Sequence, residues 1–286
     1  MKRTLFIIIC ACLCPMASQA SSVLINIACD ATASQMGGST SGSQSQSMTN
    51  GTFTVQTLDS GSSWNEIKAG NSGATSSSGS SISLVDSSNQ SSGLSISSIN
   101  LPGGKGDKAV LSSFPQGDSG LGDKYATYGN AWKGGASVTS GSTSSTQLFT
   151  LSGFQASTTY TITLLCGRAN TYPATGSNTC GFTLSGIEDL VSSVAAATAG
   201  GAPTPTTNGS TVSGIGVDAN QMTEVTWTFT TGENVEELNV SLAGVGDYNV
   251  NMIEINSLNV PEPGTASLSL LGLGALVLRR KRSAVH

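Results

Sequence analysis

The sequence holds a single histidine, His286, and it is the final residue. Histidine is the usual base behind a serine or cysteine nucleophile and a common zinc ligand. Its absence from the body argues against that hydrolase chemistry and against histidine-ligated zinc. Charge is also scarce. Charged residues are 10% of the chain, against about 25% in ordinary proteins. Together with a mean hydropathy of +0.05, this excludes a polyelectrolyte-type disordered chain. Basic residues number 12 against 17 acidic ones, the wrong balance for a nucleic-acid binder. Aromatics are 5%, and no uncharged apolar run reaches the roughly 20 residues of a full membrane span. What the chain has instead is 35 glycines in 286 residues, against an average near 7%, with abundant Ser and Thr.

Both ends carry tripartite patterns. Residues 1–20 read as a secretory signal helix: Lys2 and Arg3, an apolar run over 5–13, and the small-residue cut site Ser18-Gln19-Ala20. A lipoprotein cut before Cys12 or Cys14 is the rival, without a good lipobox to support it. The C-terminal pattern is Val260-Pro261-Glu262-Pro263, then 264–278 without a charge, then Arg279-Arg280-Lys281-Arg282. At about 1.5 Å per residue, fifteen residues span roughly 22 Å, short of a ~30 Å hydrocarbon core. A single transmembrane helix there is a marginal anchor that depends on snorkelling or bilayer thinning. The basic cluster stays cytoplasmic, which leaves everything before Pro261 outside the inner membrane. The prolines cannot continue a helix, so that stretch is extended and open to an enzyme.

Residues 260–283 closely resemble the PEP-CTERM sorting signal of Gram-negative bacteria. The resemblance implies an exosortase-type processing enzyme as partner, with Pro261, Glu262 and Pro263 as the recognition element. It also implies a transient inner-membrane precursor whose tail is removed, and delivery to the cell surface or extracellular matrix. A permanent single-pass anchor is the alternative. The domains are then signal peptide 1–20, body 21–259 and sorting signal 260–283.

Six of the basic residues (Lys2, Arg3 and the four at 279–282) and one acid, Glu262, lie in the removable ends. The body is left with 6 basic and 16 acidic residues, a formal charge near −10, which repels nucleic acid and anionic lipid. Cys10, Cys12 and Cys14 leave with the signal, and Cys29, Cys166 and Cys180 remain. Cys166 and Cys180 would close a 15-residue loop, a disulfide contributing about 3 kcal/mol if unstrained, with Cys29 left free.

The body reads as all-β, an antiparallel β-sandwich or jelly roll with one short helix. Over 223–231, Val225, Trp227 and Phe229 alternate with Glu224, Thr226, Thr228 and Thr230, the two-residue period of a half-buried strand. Tyr160, Ile162, Leu164 and Cys166 repeat the pattern, as do Leu238, Val240 and Leu242. Shorter strands are expected at 23–27, 53–58, 81–85, 94–99, 147–151, 182–184, 212–217 and 250–260. The helix is expected on Ile187, Leu190, Val191 and Val194, spaced i, i+3, i+4 and i+7, with Ser185 and Glu188 as a capping box and Gly200 as its stop. Segments 36–50, 70–80 and 202–208 read as loops. The order of Trp64-Asn65-Glu66-Ile67, Leu84-Val85-Asp86-Ser87-Ser88, 149–153, 160–164, the Trp227 strand and 251–255 resembles a galactose-binding-like jelly-roll surface module, which carries no activity with it.

Catalytic motifs are sparse. Gly117-Asp118-Ser119-Gly120 suggests a nucleophile turn but has no base. Glu188-Asp189 and Glu236-Glu237 are adjacent, so on a strand they face opposite sides and read as solvated structural acids; behind a structural or adhesive body and a carbohydrate-binding module, a carboxylate-based polysaccharide-active enzyme is the last alternative. Residues 103–108 are Gly/Lys-rich without a phosphate-loop ending. No enzyme activity and no cofactor is assigned. Asp118, Asp123 and Asn130 could offer oxygens to calcium, without EF-hand spacing. Tyr125, Tyr128 and Trp132 are the candidate glycan-binding residues, since exposed rings stack on sugars; the competing and favoured reading is that these rings cap the sandwich core.

Overall fold

A computed structural model describes residues 22–29, 45–57, 61–69, 73–76, 79–102, 136–140, 146–168, 179–197, 204–216, 221–233, 237–250 and 252–258. The signal segment and the C-terminal apolar run lie outside these residues. All regular structure in the described part is β. In chain order the strands are β1 (Ser22–Cys29), β2 (Ser45–Met48), β3 (Gly51–Thr57), β4 (Ser63–Ala69), β5 (Gly73–Thr75) and β6 (Ser81–Val85). Then come β7 (Ser91–Ser97), β8 (Asn100–Pro102), β9 (Ala136–Ser140), β10 (Thr146–Ser152), β11 (Thr159–Arg168) and β12 (Thr179–Ser185). The last six are β13 (Asp189–Ala197), β14 (Thr206–Asn208), β15 (Thr211–Gly216), β16 (Gln221–Thr230), β17 (Glu237–Val250) and β18 (Met252–Leu258).

Two large sheets result. The first runs β13-β16-β11-β18-β1-β4-β3-β2. The second runs β14-β15-β12-β17-β10-β7-β6, with β9 added along the far half of β17. β5 and β8 form a separate two-stranded ribbon. The pairings are antiparallel with one exception. β1 and β4 run parallel from Ile25↔Asn65 to Cys29↔Ala69, a departure from the purely antiparallel expectation.

The alternation read from the sequence explains the core. Val225, Trp227 and Phe229 of β16 are buried with Tyr160, Ile162, Leu164 and Cys166 of β11. The second sheet contributes Cys180, Phe182 and Leu184 of β12, Leu148, Phe149 and Leu151 near β10's centre, and Leu238 and Val240 of β17. Phe154 meets Tyr160 edge-on at 4.9 Å and Phe229 at 5.8 Å, the geometry aromatic quadrupoles favour.

The expected helix at 187–194 is strand β13, paired with β16 from Asp189↔Thr230 to Ala197↔Thr223. Its register slips between Leu190 and Ser192. That bulge adds one residue, so the inward positions fall at Leu190, Ser193 and Ala195, and the helically spaced Ile187, Leu190, Val191 and Val194 do not share a face. No apolar stripe is buried: Val191 and Val194 are 63% and 55% exposed. Gly186, at φ +91°, and not a capping box, leads into the strand. Three expected loops also contain short strands, β2, β5 and β14. Cys166 and Cys180 are free thiols in this structure. They sit on β11 and β12, strands of opposite sheets, so a bond between them would have to cross the core.

Candidate functional site

The residues that matter for export adjoin one pole of the body. β18 ends at Leu258, and Pro261 follows three residues later. β18 is not an edge strand. Leu258 pairs with Thr159 of β11 on one side, and Asn256 pairs with Ser22 of β1 on the other. The body's first and last described residues therefore lie at the same pole.

That pole is tightly held. Ser87 N donates to Ser22 O at 2.8 Å, and Ser63 N donates to Ser87 O at 2.9 Å. Asn65 donates to Leu24 O at 3.0 Å and Val85 O at 2.8 Å, and its Oδ1 accepts from Val85 N at 3.0 Å. Thr158 N donates to Thr231 Oγ1 at 2.9 Å, and Gln155 N donates to Tyr160 Oη at 3.0 Å. β18 is thus paired on both sides up to Asn256 and on the β11 side alone to Leu258, which is itself 44% exposed.

Sequence reasoning missed a buried polar group beside β1. Glu66 and Trp64 lie on the face of β4 turned away from Ile67 and Ala69, yet both are fully buried. Glu66 accepts from Asn26 Nδ2 at 3.5 Å, from Thr54 Oγ1 at 3.3 Å and from Gln56 Nε2, and Lys68 Nζ stands 3.3 Å away. Burial pushes its carboxyl above the usual range, and Lys68, Thr54 and Asn26 pull back against it. Asn26 Oδ1, also buried, has no partner among the described residues. Because the folded pKa is raised, the folded state holds the proton more tightly than the unfolded chain does. The contribution to stability is fully present below the unfolded value and is lost as pH rises through the raised one. Glu66→Gln should remove that loss. The difference in thermal midpoint, variant minus wild type, is expected to increase from pH 4 to pH 7. A difference that falls over that range would mean the Lys68 ion pair outweighs burial.

Among the described residues, no three His, Cys, Asp or Glu side chains converge on a metal-sized site. None of the described segments is a helix long and apolar enough to cross a membrane. Tyr125, Tyr128, Trp132, Asp118, Asp123, Asn130, Pro261, Glu262 and Pro263 lie outside the described residues.

The described body is an all-β fold of two large sheets, and its central strand β18 is followed in sequence by Pro-Glu-Pro at 261–263. The family profile of the PEP-CTERM protein-sorting motif matches residues 259–282. The chain carries that motif, which marks it as an exported protein that reaches exosortase as a membrane-anchored precursor. No curated protein and no solved structure matches the chain.

Proposed function

We propose that this protein is a non-catalytic structural or adhesive component of a Gram-negative cell surface or matrix. Its body is a β-sandwich, jelly-roll-like by its motifs, freed from a transient inner-membrane anchor by an exosortase. The carrying observation is the position of the motif at 259–282, directly after a central strand locked on both sides. Two features support a passive surface role. Hydroxyl pairs such as Thr159–Thr230, Thr163–Thr226 and Thr183–Thr211 bond laterally at 3.0 Å along the strands, the cross-strand pairing that stiffens a sheet. The edge strand β13 offers Val191 and Val194 to solvent without a lysine or proline to block contact, as an association surface would.

Mass spectrometry of the protein released from cells tests the processing step. The expected C-terminus lies within or beside Pro261–Glu262–Pro263, and the expected N-terminus near Ser21. A released chain that keeps Arg279 to Arg282 would reject removal of the tail. Glycan binding by the released protein, lost in Trp132→Ala, would replace the structural role with carbohydrate recognition.

A further inference from the structure

We propose that in the exported protein Cys166 and Cys180 are joined by a disulfide that ties the two sheets together through the core. The inference rests on the export reading for its oxidising compartment and on the fold for its geometry. β11 is third from the β13 edge of the first sheet, and β12 is third from the β14 edge of the second. The edges correspond, because β13 lies against β14 and β15, β15 against β16, and β11 against β17. β11 and β12 are also consecutive in sequence. Cys166 stands two residues before the end of β11, and Cys180 one residue after the start of β12. β11 lies against β17, the strand that β12 pairs with, so the end of β11 that carries Cys166 and the start of β12 that carries Cys180 belong to neighbouring positions across the core.

Each cysteine also points inward. Cys166 continues the row of Tyr160, Ile162 and Leu164, and Cys180 begins the row of Phe182 and Leu184. The two thiols are 4% and 3% exposed and belong to one apolar cluster. They are close enough that Cys166 helps raise the pKa of Cys180, after the larger effect of burial. A disulfide needs Cα atoms about 4.4–6.8 Å apart. The register slip between Cys180 and Phe182 gives β12 a local bend at the point where the strand must approach.

Burial also dictates when the bond forms. The thiolate is the attacking species, and the closed core disfavours it at both cysteines. Oxidation therefore precedes closure of the two sheets. One thiolate attacks the reactive disulfide of a thiol–disulfide oxidant, forming a mixed disulfide and releasing one oxidant thiol. The second cysteine, as thiolate, displaces the other oxidant sulfur. The protein loses two electrons and two protons, and the oxidant disulfide becomes two thiols. Once the core closes, the bond is shielded from reductants.

The test counts thiols. Protein released from the native host is denatured in iodoacetamide without reductant. The expected result is one alkyl group per mature chain, on Cys29, and three after reduction. Trypsin cuts after Arg168, between the two cysteines, so the bond appears as a linked pair of peptides that separates on reduction. In a second arm, reduced protein is refolded in a glutathione redox buffer and treated the same way. One alkyl group in both arms supports the proposal. Three in both arms, or a linked peptide containing Cys29, overturns the pairing. Three from cells but one after refolding overturns oxidation in the cell, and with it the export reading, while the pairing geometry stands.

Discussion

Replacement of Pro261, Glu262 and Pro263 together by alanine is expected to convert a released protein into a retained one, with at least a tenfold fall in the extracellular or surface-released fraction. Two effects act in the same direction. The extended, helix-incompatible element that a processing enzyme can grip is lost, since proline fixes φ and lacks the donor a helix requires. The apolar run also grows from fifteen to eighteen uncharged residues, with alanine the strongest helix former. At about 1.5 Å per residue its reach rises from roughly 22 Å to roughly 27 Å, close to a ~30 Å hydrocarbon core. The marginal anchor becomes a serviceable one. Glu262→Gln separates the two contributions, because it leaves the prolines and the length of the run untouched. Membrane fractionation and immunoblotting give the readout. Unchanged release of the triple variant would remove the motif from the sorting pathway.

The sorting element was legible because its information is local: two prolines, a short apolar run and four basic residues need no fold to be recognised. Strands with one wet face were legible for a related reason. β16 and β11 each bury alternate side chains, so Trp227 and Ile162 announce their side of the sheet. β4 fails that test. Trp64, Asn65, Glu66 and Ile67 are all buried, so the strand has no polar face and its glutamate reads as a solvent residue. Strand β13 misled for a different reason: a bulge at Leu190/Ser192 broke the period of two, and the apolar residues at helical spacing include the exposed Val191 and Val194. The parallel β1–β4 pair and the shared pole of Ser22 and Leu258 are properties of long-range pairing. No local pattern encodes which strands become neighbours, and for the same reason the inward-facing cysteines could be paired by spacing but not assigned to opposite sheets.

Asn65→Leu is expected to be among the most destabilising single changes in the body. Asn65 lies on the inner side of β4, fully buried, where an apolar residue of similar size would ordinarily be well placed. Its amide instead imitates a strand. It donates to Val85 O and Leu24 O and accepts from Val85 N, so it bonds the end of β6 in the second sheet to β4 and β1 in the first. Leucine fills the volume but leaves Val85 N–H, Val85 C=O and Leu24 C=O without that partner. Buried groups left unsatisfied cost about 1–3 kcal/mol each, so a loss of about 3–6 kcal/mol is expected against a total stability of roughly 5–15 kcal/mol. For a body of this size that corresponds to a fall in midpoint of about 10 °C or more. Asn65→Asp should be comparably damaging near neutral pH, because it sets a carboxylate against two carbonyl oxygens, and it should recover in part as the pH falls and the acid regains a proton to donate. Hydrogen exchange locates the effect: the Val85 amide should lose protection in both variants, ahead of amides in β11 and β16. Equal protection at Val85 in wild type and variant would show that the sheets are held at this pole by packing alone.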